Sequence, residues 1–270
     1  MRQLIVKIVV FTIIFIGVVA GVFDSFFYSE TRFKETLSAF KTYGIDEVDI
    51  VYCGSSKVFT ALNPEIIDTE LKTTSFNLAT GSQNLETTAF LIEEILKTHQ
   101  PKVLVLDVSP ADNYLLNAPG VQPFQLEVFD NLPFSEKKYK YLFNKYGIEN
   151  GLSLVSPTIR NHNDWDDKLI RRRNYYKEKG NTYVRGYYNN KESFSNPNAT
   201  YGNYKEEFKD FNTYQFDYVQ GNNTLSPKVD SLLRRIYSIT EKANTSLVLI
   251  SIPYLSWYKD KNGDYKNYAS

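Results

Sequence analysis

Two serines directly behind a glycine are the residues whose type and setting best suit chemistry. Asp49-Ile50-Val51-Tyr52-Cys53 is a short β-branched and aromatic run that stops at Gly54-Ser55-Ser56, and Asn63-Pro64-Glu65-Ile66-Ile67 then opens a helical pattern. A strand that ends in a glycine turn and continues into a helix lifts the turn's side chains above the carboxyl end of a sheet, where open α/β sheets bind ligands. A serine there is exposed, and its own backbone N–H is available to an oxyanion. The plainer reading is that Ser55 or Ser56 caps the following helix. A serine nucleophile also needs a general base, usually a histidine oriented by a carboxylate. Only His99 and His162 are present. His99 closes a crossover helix, which places it at the amino edge of the sheet as a surface residue near a helix terminus. His162 reaches the serines only if the segment around it folds over them.

The elements that must position these residues follow in order. Thr74-Ser75-Phe76-Asn77-Leu78-Ala79 reads as a second strand ending in another small-residue turn, Thr80-Gly81-Ser82-Gln83. Residues 84–98 carry Leu85, Ala89, Ile92, Ile95 and Leu96 at helical spacing, and Pro101 closes that helix. Lys102-Val103-Leu104-Val105-Leu106-Asp107-Val108 is a continuous apolar run, the pattern of a parallel strand covered on both faces. Strand, helix, strand, helix, strand over 49–108 predicts a parallel sheet with right-handed crossovers. Residues 227–242 return to an amphipathic helix, and residues 247–253 read as a fourth buried strand. The stretch of about 111–226 between them has helical pieces at 135–146 and 165–179, many Tyr and Asn, and little strand signal. It is too long for a simple loop and reads as an insertion over the carboxyl edge of the sheet.

The N-terminus has a different character. Residues 8–23 carry no charge, and with Leu4 to Val6 added the apolar span is about 20 residues, enough to cross a bilayer with Lys7 snorkelling. Arg2 and Lys7 precede it and Asp24 and Glu30 follow, which leaves the N-terminus in the cytoplasm and the remainder outside. Val18-Val19-Ala20 loosely matches a signal-peptidase site, so a cleaved signal peptide competes with an uncleaved anchor within residues 1–26. Residues 27–43 predict a short stalk or edge helix.

Composition narrows the partners. Lys+Arg and Asp+Glu are equal at 31 each, so no net field draws the 270-residue chain to nucleic acid or acidic lipid. The single cysteine, Cys53, excludes an internal disulfide framework and a cysteine-rich metal site, and it reads as a small buried hydrophobe. No metal and no cofactor is implied, and no Gly-rich nucleotide cradle is present. Arg171-Arg172-Arg173 reads as a solvated helix face or a polysaccharide or phosphate contact. Trp165, Tyr175-Tyr176 and Tyr187-Tyr188 could stack on sugars, although aromatic pairs are more often packing.

Gly54-Ser55-Ser56, the segment Phe76-Asn77-Leu78-Ala79-Thr80-Gly81-Ser82-Gln83 and the segment Asp107-Val108-Ser109-Pro110 together resemble three motif blocks of the SGNH/GDSL hydrolase superfamily. The likeness is to the membrane-anchored branch associated with bacterial surface-polysaccharide genes, which has Gly-Ser-Ser where others have Gly-Asp-Ser. Arg160-Asn161-His162-Asn163-Asp164-Trp165 resembles a degenerate form of a segment common in that branch. The resemblance covers residues 45–110 well and 227–253 in outline. It implies a three-layer α/β/α domain over 27–270 with a parallel flavodoxin-like sheet, an N-terminal transmembrane helix and the long insertion. Ser56 matches the nucleophile. Ser56, Gly81 and Ser82 match the oxyanion hole, with Asn113 near the place of the family's asparagine, and His162 and Trp165 are candidate substrate contacts.

The implied activity is that of an exported acyl esterase or O-acyltransferase acting on cell-envelope polysaccharide through a serine acyl-enzyme. Its partners would be an acylated or acyl-accepting glycan, the cytoplasmic membrane, and a membrane acyl-donor protein. The family's Asp-x-x-His block is absent: Ile159 lies three residues before His162, and Leu96 three before His99. Two expectations account for this. Either the reading frame continues beyond Ser270, or the chain is a catalytically inactive glycan- or partner-binding envelope protein on the same fold.

Overall fold

A computed structural model of the protein describes residues 2–18, 32–81, 83–108, 123–160, 183–188 and 227–252. The fold is mixed α/β around a four-stranded parallel sheet. Its strands are β1 (Ile50–Cys53), β2 (Ser75–Asn77), β3 (Val103–Asp107) and β6 (Ser246–Ile250), in the order β2-β1-β3-β6; β6, expected to be buried, ends that order and leaves Val248 and Leu249 exposed. Ile50 stands opposite both Ser75 and Val103, and Val103 opposite Ser246, so the strands begin level and their carboxyl ends share one edge.

The alternation of side chains explains the two faces. Val51, Cys53, Phe76, Leu104 and Leu106 point into the larger core, with Leu85, Ala89, Ile92 and Ile95 of helix α5 (Leu85–Ile95) and Val229 and Ile236 of helix α10 (Pro227–Lys242). Phe33, Leu37 and Phe40 of helix α2 (Arg32–Phe40) close the same core. On the other face Tyr52 meets Val58 of helix α3 (Ser56–Ala61) and Ala79, flanked by Ile67 of helix α4 (Pro64–Leu71). Local signals set the helix starts. Asn63 accepts from Glu65 N at 2.9 Å with Pro64 in the first turn, and Asn84 accepts from Thr87 N at 2.8 Å.

Between β3 and α10 the described segments are helix α6 (Pro123–Asn131), helix α7 (Glu136–Tyr146), a 3₁₀ turn at Ile148–Asn150, and the short helices α8 (Gly151–Val155) and α9 (Pro157–Arg160). A small antiparallel hairpin, β4 (Tyr183–Val184) with β5 (Tyr187–Tyr188), completes them. The helix expected over 135–146 is present as α7, while the one expected over 165–179 lies outside the described residues. Neither α6 nor the hairpin was legible in the sequence. Polar ties anchor α7: the Glu86 carboxylate of α5 accepts from Tyr141 Oη at 2.6 Å and from Lys145 Nζ at 2.7 Å, and pairs with Lys228 of α10 at 2.7 Å. Burial pushes this carboxyl up, but the three donors outweigh it and hold Glu86 down at about 2.

The N-terminal helix α1 spans Arg2–Val18, seventeen residues, none of them buried. At 1.5 Å per residue it is about 25 Å long, short of a bilayer's hydrocarbon core of about 30 Å. No helix among the described residues is long and apolar enough to cross a membrane. The expected span of 4–23 therefore has a described helical part that ends at Val18.

Candidate active site

The first turn is built by Gly54. Its φ is +151°, and a Cβ there would lie 2.6 Å from Val58 Cγ2 and 2.9 Å from Asp107 Cβ, so a side chain has neither the conformation nor the space. The chain then passes Ser55, 6 % exposed, and enters α3 at Ser56, which is exposed. Ser55 occupies the N-cap position, yet its hydroxyl makes no capping hydrogen bond. Capping therefore does not account for the serine pair.

The second turn leaves β2 beside the first. Leu78 N donates to Tyr52 O at 2.9 Å and Thr80 N donates to Gly54 O at 3.2 Å, which ties Thr80-Gly81 to the Gly54-Ser55 peptide at the carboxyl edge. Behind it lies a buried polar chain: Thr80 Oγ1 donates to Gln83 Oε1 at 3.0 Å, and Gln83 Nε2 to Thr88 Oγ1 at 2.9 Å. Fully buried Asn77 works from below. Its Nδ2 donates to Val58 O and Leu62 O, both at 3.0 Å, and its Oδ1 accepts from Ala79 N at 3.3 Å. One side chain thus joins the helix that carries Ser56 to the turn that carries Gly81.

The third element is Asp107 at the end of β3, 4 % exposed, with its Cβ against Gly54 and its Oδ1 accepting from Ile252 N at 3.4 Å. Burial draws the Lys57 ammonium down to about 8, against the opposing pull of the Asp107 charge. Cys53, immediately below, is fully buried, and burial pushes its thiol up to about 12. Such a thiol is inert at neutral pH.

The structure therefore brings Ser56, Gly81 and Asp107 to one sheet edge. Ser82, Asn113, His162 and Trp165 lie outside the described residues. His99 is placed at the amino edge, ahead of β3, but it is no surface residue. It is 5 % exposed, its ring centroid lies 4.2 Å from that of Phe40, and burial lowers its pKa. The α2 helix covers it, an arrangement that helical periodicity alone does not reveal. It is the one histidine among the described residues, and it does not face Ser56.

Three contributors to the site escaped the sequence reading: Asn77, Gln83 and Arg32. Asn77 and Gln83 stand in the 76–83 segment that carries the family resemblance, but nothing local to that segment points to their partners. Arg32 carried no signal, because its partners lie 47 and 154 residues away. Two grooves among the described residues lie elsewhere. One of about 620 Å³ is lined by Phe134, Tyr139, Phe143 and Val155, and one of about 450 Å³ by Phe90, Glu93, Leu96 and Ile239. Neither borders Ser56.

Compared with known proteins, the chain matches no protein-family model, no curated protein and no solved structure.

Proposed function

We propose that the protein is an SGNH-type acyl esterase or O-acyltransferase acting on cell-envelope polysaccharide, with Ser56 as nucleophile. The observation that carries this reading is the juxtaposition at the carboxyl edge: exposed Ser56 starts α3, and the Thr80-Gly81 turn is held beside it by the 3.2 Å bond from Thr80 N to Gly54 O. In this reading Ser56 Oγ attacks an acyl carbonyl and gives up its proton to a general base. The N–H groups of Ser56 and Gly81 stabilise the tetrahedral oxyanion. Collapse expels the alcohol, which takes the proton, and leaves an acyl-enzyme. Water or a sugar hydroxyl then receives the acyl group, giving esterase or transferase activity.

The finer architecture belongs to the same proposal. The order β2-β1-β3-β6 agrees with a flavodoxin-like sheet, with the chain between β3 and α10 as its insertion. The exposed apolar helix α1 and the uncharged run of residues 8–23 support an N-terminal membrane anchor with the domain outside.

The test is hydrolysis of a chromogenic acetyl ester by the protein expressed from its whole genomic reading frame, beside Ser56→Ala and Ser55→Ala. The expected result is turnover that Ser56→Ala abolishes and Ser55→Ala weakens less. A second reading, a non-catalytic glycan-binding envelope protein, is favoured by one observation: His99, the described histidine, lies at the opposite edge of the sheet. Absence of Ser56-dependent turnover together with binding of an acylated glycan would select it.

A further inference from the structure

The β2 exit turn is held from outside by residues that belong to neither the sheet nor its crossover helices. Arg32, in the first turn of α2, donates through Nη1 to Gly186 O and through Nη2 to Ala79 O, and its guanidinium lies 4.1 Å over the Phe59 ring of α3. A planar fork is suited to spanning two carbonyls from distant segments while stacking on an aromatic face. Those carbonyls belong to the turn of the β4–β5 hairpin and to the residue just before Thr80-Gly81.

The hairpin is seated with little room. Asn77 N donates to Arg185 O at 2.8 Å, Arg185 pairs with Asp68 of α4, and Tyr188 meets Phe59 edge-on with ring centroids 6.5 Å apart. Gly186 has φ +89°, and a Cβ on it would fall 1.9 Å from Asn77 O. Only glycine lets the hairpin approach β2 this closely.

We propose that Arg32 is a positioning residue, and that with the hairpin of residues 183–188 it clamps the Thr80-Gly81 turn in register with the Ser56 turn. The geometry stands on its own contacts; the catalytic consequence rests on the esterase reading. β2 is a three-residue edge strand, and the Arg32 contact to Ala79 O adds to the Thr80 N–Gly54 O bond at its exit turn. Oxyanion donors must be held to within about 0.5 Å, and a shift of about 1 Å can cost about a hundredfold in rate. The clamp supplies that constraint from one chain segment before β1 and another between β3 and β6.

The test measures amide hydrogen exchange and Ser56-dependent ester turnover in the protein expressed from its whole genomic reading frame, for Arg32→Lys, Arg32→Ala and Gly186→Ala. Lysine keeps the charge but loses the fork, so it should not rescue. Exchange at residues 77–81 should rise about tenfold or more while Leu104 and Leu106 stay protected. The kcat should fall about tenfold or more with KM changed by less than about threefold. Unchanged exchange at 77–81, or an equal rise across the whole sheet, would overturn the clamp. So would faster local exchange with kcat intact. If the wild-type chain shows no Ser56-dependent turnover, it is the esterase reading that fails, and the exchange result alone then decides the clamp.

Discussion

The two faces of the sheet are held by different forces. On one face β1 and β3 bury Val51, Cys53, Leu104 and Leu106 against a large set of apolar side chains from α2, α5 and α10. On the other, the buried apolar set is small, Tyr52, Val58 and Ala79, and hydrogen bonds from Asn77 hold α3 in place. The helix that carries Ser56 belongs to this second face. Apolar packing is non-directional, whereas a hydrogen bond fixes distance and angle. The first face therefore supplies bulk stability, and the second supplies orientation where the candidate chemistry sits.

Substitutions should separate these roles. The largest loss is expected for Ile92→Ala, fully buried in α5, at about 3–4 kcal/mol by urea unfolding. A loss confined to the 77–81 turn, with global stability intact, would contradict the division between faces. Asn77→Ala should cost about 2 kcal/mol, since the carbonyls of Val58 and Leu62 each lose a buried partner. Its effect should be concentrated, with α3 amides exchanging faster than those of α5. Equal exchange in the two helices would remove the orienting role given to Asn77.

The smallest effect is expected at the ionic rim of the first face. Glu86→Gln should cost about 1–2 kcal/mol near pH 7, the three-donor contact being discounted for solvent screening. Because the folded carboxyl is depressed, its contribution is complete above the ordinary carboxyl pKa near 4.5 and is lost as pH falls through about 2. The wild-type and Glu86→Gln stabilities, followed by thermal unfolding across pH, should therefore converge between about pH 4.5 and pH 2. A difference that stays constant over that range would show that packing, and not the carboxylate charge, links α5 to α7.

Local pattern determined much of this molecule. The apolar runs gave β1 and β3 nearly to the residue, helical spacing gave α5, α7 and α10, and capping residues such as Asn63 and Asn84 marked where helices begin. The candidate nucleophile at Gly54-Ser55-Ser56 was legible because a strand, a glycine turn and a helix are all local events. What only the tertiary structure decided depends on contacts between residues far apart in the chain. His99, placed on the surface by its position at a helix end, is buried because α2 lies across it. Asn77 carries no sign in its own strand that it will satisfy the carbonyls at the end of α3. Arg32 and Gly186 meet across 154 residues, and only the packed Asn77 carbonyl removes the room for a Cβ at Gly186. Periodicity and capping report how a segment meets the core; which segment covers an edge is decided by packing among them all.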